Sequence, residues 1–292
     1  MDSINIGLVA FHINFLLLLG AMLIGSFVAK RIGRRQNVDV EPLLWRVFIA
    51  SLIAARLVFV IAYFDMYRSA PLSVLNILDG GFSPAAGILA AAAGVIWYAW
   101  RMREGRRPLL LAALTGGAAW AVGAAAATAV FAVPVQMPQA ELVRLDGSPI
   151  QFSSLAGKPM VVNLWATWCP PCIREMPVLR DAQKNNPEVI FVFANQGESA
   201  DAIQKFLDRE GLNLDNVLLD PRIELSSQTQ SQGLPTTLFF DAKGALVDRR
   251  TGELSAATLA QRIEGIAPRD IDPQLQYERP EKKDEDSAVT HQ

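Results

Sequence analysis

A chain of 292 residues with 51% hydrophobic and 19% charged side chains, at a mean hydropathy of +0.23, has room for about two domains and is too apolar for disorder. Its 27 Lys and Arg against 29 Asp and Glu leave a net charge of −2, which argues against a nucleic-acid partner. Two cysteines, with His12 and His291 the only histidines, exclude a disulfide-stapled scaffold and a Cys/His zinc cluster.

The charge is split: residues 1–136 hold 11 basic and 6 acidic side chains, residues 137–292 hold 16 and 23. Apolar stretches come first. Ser3–Ala29, Gly80–Trp100 and about Leu109–Val135 carry no charge, and Pro42–Phe64 is interrupted only by Arg46 and Arg56. Each approaches or exceeds the roughly 20 residues that cross a hydrocarbon core, so residues 1–136 read as an all-α polytopic membrane domain of four transmembrane helices. Ala90–Gly94 and Gly116–Ala127 supply small residues for close helix packing. Only Asp2 precedes the first stretch, unlike the positive start of a cleaved signal peptide. Lys30, Arg31, Arg34 and Arg35 follow it, and Arg101, Arg103, Arg106 and Arg107 follow the third. The positive-inside rule puts both basic loops in the cytoplasm, the N-terminus outside, and the chain outside again near Val135. Everything beyond is expected where disulfides persist.

Arg56, His12 and Asn14 fall toward the outer leaflet, with Asn76 and Asp79 near that face. A polar cluster holding the bundle is favoured over a lipid-headgroup or substrate site, since no catalytic pair is visible. Ala55-Arg56-Leu57-Val58-Phe59-Val60, followed by Asp79-Gly80-Gly81-Phe82-Ser83, resembles the middle of prolipoprotein diacylglyceryl transferases. That family reads Gly-Gly-Met-Ser-Phe-His-Gly-Gly where this chain has Gly80-Gly81-Phe82-Ser83-Pro84-Ala85-Ala86-Gly87, so Ala85 replaces its histidine. Its later Gly-Arg-x-Gly-Asn-Phe signature has no counterpart at 108–135. The resemblance covers about half of residues 1–135 and implies a retained scaffold without the transferase activity.

From Gln139 the pattern becomes short apolar runs alternating with amphipathic helices, an α/β layer structure over residues 137–268. Glu141–Leu145 and Pro149–Phe152 read as a hairpin about Asp146-Gly147, and Met160–Trp165 as a buried strand. Pro170 to about Asn185 reads as a helix, Val189–Ala194 as a strand, and Ser199–Glu210 as a helix burying Ile203, Phe206 and Leu207. A short strand Val217–Leu219 and a short helix Ile223–Gln230 follow. Thr236–Asp241 and Ala245–Arg250 form a hairpin about Lys243-Gly244, and Ser255 caps a last helix ending near Ile266. Residues 269–292, with mixed charge, Pro273, Pro280 and His291, read as a solvated tail.

Both cysteines fall in Trp165-Ala166-Thr167-Trp168-Cys169-Pro170-Pro171-Cys172, between a buried strand and a helix, the context a redox Cys-x-x-Cys requires. At the helix start Cys169 meets unpaired N–H groups and the positive end of the dipole, which favour thiolate, the attacking species. Cys172, three residues on, lies about 5–6 Å away on the same face, within disulfide reach. A metal site would want further ligands, and a staple closing so short a loop would stabilise little. Redox chemistry is the stronger reading; copper binding by the two thiolates stays open without Met or His neighbours.

Gly157-Lys158-Pro159-Met160-Val161-Val162-Asn163-Leu164 leading into that motif, then Ile173-Arg174-Glu175-Met176-Pro177, resembles the TlpA/ResA class of thioredoxin-fold proteins. Gly233-Leu234-Pro235-Thr236-Thr237 is similar to the family's cis-proline loop, and Gly197-Glu198-Ser199 to the loop after its next strand. The resemblance spans about Met137–Ile266 and implies an α/β thioredoxin-like domain with substrate bound beside Cys169. It implies that Cys169 attacks, Cys172 resolves, and Glu175 exchanges a proton with Cys172. It casts Trp168, Pro235 and Thr236 as substrate-binding or supporting residues. No cofactor or metal is expected. Reduction is the family's usual direction, often in cytochrome c maturation or copper-site assembly. The expected setting is a bacterial inner membrane with the redox domain in the periplasm, where protein disulfides and thiols are the clients. Since the spans hold no cysteine, electrons are expected from a membrane donor of the DsbD or CcdA kind. The alternatives are an oxidase or isomerase, or a lipid- or lipoprotein-binding membrane protein with an accessory redox domain.

Overall fold

The computed structural model describes residues 3–6, 9–68, 71–131 and 135–267, so the expected tail at 269–292 lies outside the described residues. The chain opens with two strands, β1 (Ser3–Ile6) and β2 (Val9–His12), paired antiparallel with Ile4 opposite Phe11. The first long helix, α1 (Ile13–Gln36), therefore starts well after Ser3 and runs on through Arg34 and Arg35. Uncharged sequence does not separate strand from helix, and Ile4, Ile6, Val9 and Phe11 are good strand formers.

There follow α2 (Glu41–Ala62), the short α3 (Phe64–Arg68), 3₁₀ turns at Pro71–Leu75 and Ile77–Asp79, α4 (Pro84–Arg101) and α5 (Arg106–Phe131). Among the described residues three helices, α1, α2 and α5, are long and apolar enough to cross a membrane. The fourth expected span, α4, is an 18-residue helix ending on Arg101 and falls short of that standard. Helix α1 packs on α5, and α2 on α4. A Cβ on Gly116 would stand 3.1 Å from the Ala21 carbonyl oxygen, and one on Gly25 3.1 Å from that of Ala112, so glycine lets the two backbones touch. Phe27, Ile61, Leu89, Leu114 and Val122 point outward and exposed, as on helices whose solvent is lipid.

Arg56 is buried in α2 and holds the segment after it. Its guanidinium donates to Asp79 Oδ1 at 2.9 Å, to the Gly81 carbonyl at 2.7 Å and to the Val74 carbonyl at 2.9 Å. Tyr67 Oη donates to Asp79 Oδ2 at 3.2 Å, and the Gly81 amide to Oδ1 at 2.9 Å. The structural polar cluster expected from the sequence is thus present for Arg56 and Asp79. The side chains of His12 and Asn14 lie outside the described residues.

Among the described residues the second half is built on an eight-stranded sheet. Its strands are β3 (Val135–Gln136), β4 (Glu141–Arg144), β5 (Pro149–Gln151), β6 (Met160–Trp165), β7 (Ile190–Gln196), β8 (Val217–Asp220), β9 (Thr236–Phe240) and β10 (Ala245–Thr251). They lie in the order β3-β10-β9-β6-β7-β8-β4-β5. Strands β6, β7 and β8 run parallel, and the rest pair antiparallel. The helices are α6 (Pro170–Asn185), α7 (Ala200–Glu210), α8 (Glu224–Gln228) and α9 (Ala256–Ile266). Ser199 and Ser255 cap α7 and α9 as the sequence predicts, Ser255 in a reciprocal pair with Thr258.

Central β6 is buried throughout, and its alternation sorts the core into two faces. Val161 and Trp165 face the cluster that holds both cysteines, Met176 and Phe206. Met160, Val162 and Leu164 face Phe152, Leu238 and Phe240. Trp165 and Phe206 stack with centroids 5.3 Å apart. Each such side chain contributes about 1.5–3 kcal/mol on burial. The two halves touch where Phe59 and Tyr67 enclose Ala257, and Tyr63 Oη donates to Glu264 Oε2 at 2.9 Å.

Candidate active site

The strand β6 runs into a sharp turn at Ala166–Cys169, and α6 starts immediately after it. Glu198 pins that turn: its Oε2 accepts from the Thr167 amide at 2.7 Å and from Asn195 Nδ2 at 2.7 Å, and its Oε1 from Thr167 Oγ1 at 2.6 Å. The sequence shows only a Gly-Glu-Ser loop here; this clamp is made in three dimensions and has no local signature.

Cys169 is the N-cap of α6, with Pro170 following it at a position that needs no N–H. Its Sγ accepts from the Cys172 amide at 3.3 Å. The two sulfurs are bonded as a disulfide, with Cα atoms 5.3 Å apart. Cys169 is 4% exposed and Cys172 is wholly covered. Trp168, next to Cys169, is 68% exposed and leaves a broad aromatic face at the rim. The Leu234–Pro235 bond is cis, and Leu234 packs against the cluster containing both cysteines. The Pro235 carbonyl accepts from the Gly252 amide at 2.9 Å. Thr236 is fully buried, its Oγ1 donating to the Gly233 carbonyl at 2.6 Å, so it supports this loop from within and offers a substrate no surface.

Glu175, one turn beyond Cys172, is buried rather than solvated. Asn163, on the same face of β6 as Val161 and Trp165, donates to Glu175 Oε1 at 2.7 Å and to Thr237 Oγ1 at 3.1 Å. The Leu254 amide donates to Glu175 Oε2 at 3.1 Å. Loss of hydration pushes the carboxyl from 4.5 up to about 8, with Glu253 adding repulsion; the two hydrogen bonds and Arg250 pull the other way. Among the described residues Asn163 Oδ1 is buried without a partner. Half a turn of its amide would set that oxygen opposite Glu175, where a protonated carboxyl donates to it. The pair can therefore serve Glu175 in either protonation state. Asn163 carries no role in the sequence pattern; its placement follows from strand alternation.

Among the described residues no group of three or more His, Cys, Asp or Glu is arranged to hold a metal ion. What the site offers is a dithiol/disulfide at a helix N-terminus and, one turn beyond Cys172 in the same helix, a buried acid whose pKa burial raises to about 8.

Residues 132–262 match the family model described as Redoxin, and residues 3–129 match that of prolipoprotein diacylglyceryl transferase. The thiol-disulfide oxidoreductase ResA of Geobacillus thermodenitrificans is 32% identical over 164 residues, 55% of this chain and 92% of the relative. That of Bacillus subtilis is 32% identical over 133 residues, 45% of this chain and 74% of the relative. The solved structure of MTB dsbF is 30% identical, covers 46% of this chain and 98% of its own, and superposes with a TM-score of 0.42. The second half of the chain is a thioredoxin-like sheet with flanking helices, and the first half is transferase-like and helical. With its cysteine pair at the start of α6 and this identity to ResA over most of the relatives' length, the chain belongs to the ResA family of protein thiol-disulfide oxidoreductases.

Proposed function

We propose that the protein is a membrane-anchored periplasmic disulfide reductase of a bacterial inner membrane. Residues 1–136 form the membrane domain, with α4 as a fourth crossing, and 137–268 the redox domain, except that Val135 and Gln136 pair as β3 into the redox domain's sheet. The Cys169 thiolate attacks a client disulfide, forming a mixed disulfide and releasing the client's first thiolate. Cys172 passes its proton to Glu175 and attacks the Cys169 sulfur. The client leaves with both thiols reduced, and Cys169–Cys172 is left oxidised. Trp168 and the Leu234–Pro235 loop line the approach to Cys169, with Thr236 supporting that loop from within. Two electrons then return from a membrane donor of the DsbD or CcdA kind, because neither cysteine lies in an apolar helix. Clients in cytochrome c maturation or copper-site assembly fit this chemistry.

The observation that carries the reading is the buried Glu175, pushed up to about 8 and one turn from Cys172, since a resolving thiol needs a base whose affinity for protons matches its surroundings. Titrating the full chain against glutathione tests the direction. A reduction potential near about −270 mV supports a reductase, and one near about −120 mV makes it an oxidase. Orientation is checked separately. A phosphatase fused after Gln136 is expected to be active and one fused after Arg35 silent; the reverse pattern overturns the compartment.

A further inference from the structure

Residues 253–255, between β10 and α9, touch three partners in succession. Glu253 Oε2 accepts from Arg174 Nη2 at 2.7 Å, and the Leu254 amide reaches Glu175 at 3.1 Å. Ser255 Oγ donates across the chain to Asp79 Oδ2 at 3.1 Å. Arg174 and Glu175 are consecutive residues of the cysteine helix, whereas Asp79 belongs to the membrane half. A three-residue strap thus joins the membrane half to the buried acid one turn beyond Cys172.

Asp79 is a firm anchor for it. It is 2% exposed and held by Arg56, Tyr67 and the Gly81 amide. A second link runs beside the first. Gly80 has φ +76°, and a Cβ there would stand 3.1 Å from Arg250 Nη1. Glycine at this position serves both the left-handed backbone and the close approach of Arg250. Buried Arg250 in turn attracts both Asp79 and Glu175, alongside Asp248 and against Arg262.

We infer that Asp79 is a positioning residue for thiol–disulfide exchange: through Ser255 it holds the Leu254 amide against Glu175, so the membrane half sets how readily Glu175 takes the proton of Cys172. This rests on the proton role proposed above for Glu175. The membrane half then completes the redox site as well as anchoring it. The charged groups that bear on Glu175 are Glu253, paired with Arg174, and Arg250, which Asp79, Asp248 and Arg262 surround. Loosening the strap removes a donor that favours the carboxylate and lets Arg250 recede, and both changes raise the affinity of Glu175 for its proton.

The test uses the full chain in detergent and reads the pH–rate profile of exchange. Ser255→Gly removes the hydroxyl but keeps an accepted helix cap. Asp79→Asn removes the anchor's charge; where it fails to fold, Ser255→Gly alone decides. Ser255→Gly is expected to move the profile about 0.5–1 pH unit to the alkaline side, and to move nothing when Glu175→Gln is already present. An unmoved or acid-shifted profile overturns the proposal, as does an equal shift in the Glu175→Gln background. If Glu175→Gln alone leaves the profile of the unaltered chain intact, the role of Glu175 falls and this proposal falls with it. A Glu175→Gln effect without a Ser255→Gly effect removes this proposal only.

Discussion

Cys169→Ser is expected to reduce thiol–disulfide exchange to the uncatalysed background, while Cys172→Ser freezes the reaction half-way with clients attached. The asymmetry follows from where α6 begins. Cys169 sits outside the first turn, its sulfur already receiving the Cys172 amide, and it is the more accessible of the two. When the pair is reduced, the same amide and the helix dipole meet a thiolate. Cys172 lies inside the helix with no exposed surface and reaches only its neighbour. Without it, the Cys169 mixed disulfide has no internal thiol to release it. Non-reducing gels of membranes should show client-linked ladders for Cys172→Ser and none for Cys169→Ser. Ladders in Cys169→Ser, or alkylation of Cys172 first at limiting reagent, would reverse the assignment.

The second large effect is on stability against pH. In the folded chain Glu175 holds its proton up to about 8, against 4.5 for an ordinary glutamate, so between those values the folded state binds more protons than the unfolded one. Stability is therefore greatest below about pH 4.5 as far as this group is concerned, and it declines until about pH 8. A shift of that size corresponds to roughly 3–5 kcal/mol across the window. Glu175→Gln keeps the shape and cannot ionise. Its amide can donate to Asn163 Oδ1 and accept from the Leu254 amide, the arrangement available to the protonated acid. Thermal melting of the second half should fall steeply for the natural protein between pH 5 and about 8 and stay level for Glu175→Gln, whose melting point is the higher at alkaline pH. Parallel curves for the two proteins would mean that Glu175 is ionised throughout.

The second half of the chain was readable because its signals are local. Met160–Trp165 and Pro170–Asn185 are found as the sequence places them, and Ser199 and Ser255 stand where their helices need caps. The disulfide was readable for the same reason, since strand, turn and helix start lie in one continuous stretch. Glu175 was harder: a glutamate on a polar helix ordinarily faces water, and only the family resemblance singled it out. Its donors lie on β6 and before α9, which no local pattern brings together. Strand β3 is two residues that form only by pairing with Ala245 and Leu246. The contact between Asp79 and Ser255 spans 176 positions, so neither residue bears a mark of the other. In the first half the uncharged start hid the β1–β2 pair, because hydropathy has no period to betray it.

The borders of the large sheet have a further consequence. One is closed by the two residues of β3 and the other by the three of β5, which include Pro149. A long bare border would template the addition of a loose strand. Beside β5 a stray strand meets three residues, one of them Pro149 with no N–H to pair, whereas β3 covers only Ala245 and Leu246 of β10. Strand addition is thus blunted most at the β5 border of the sheet.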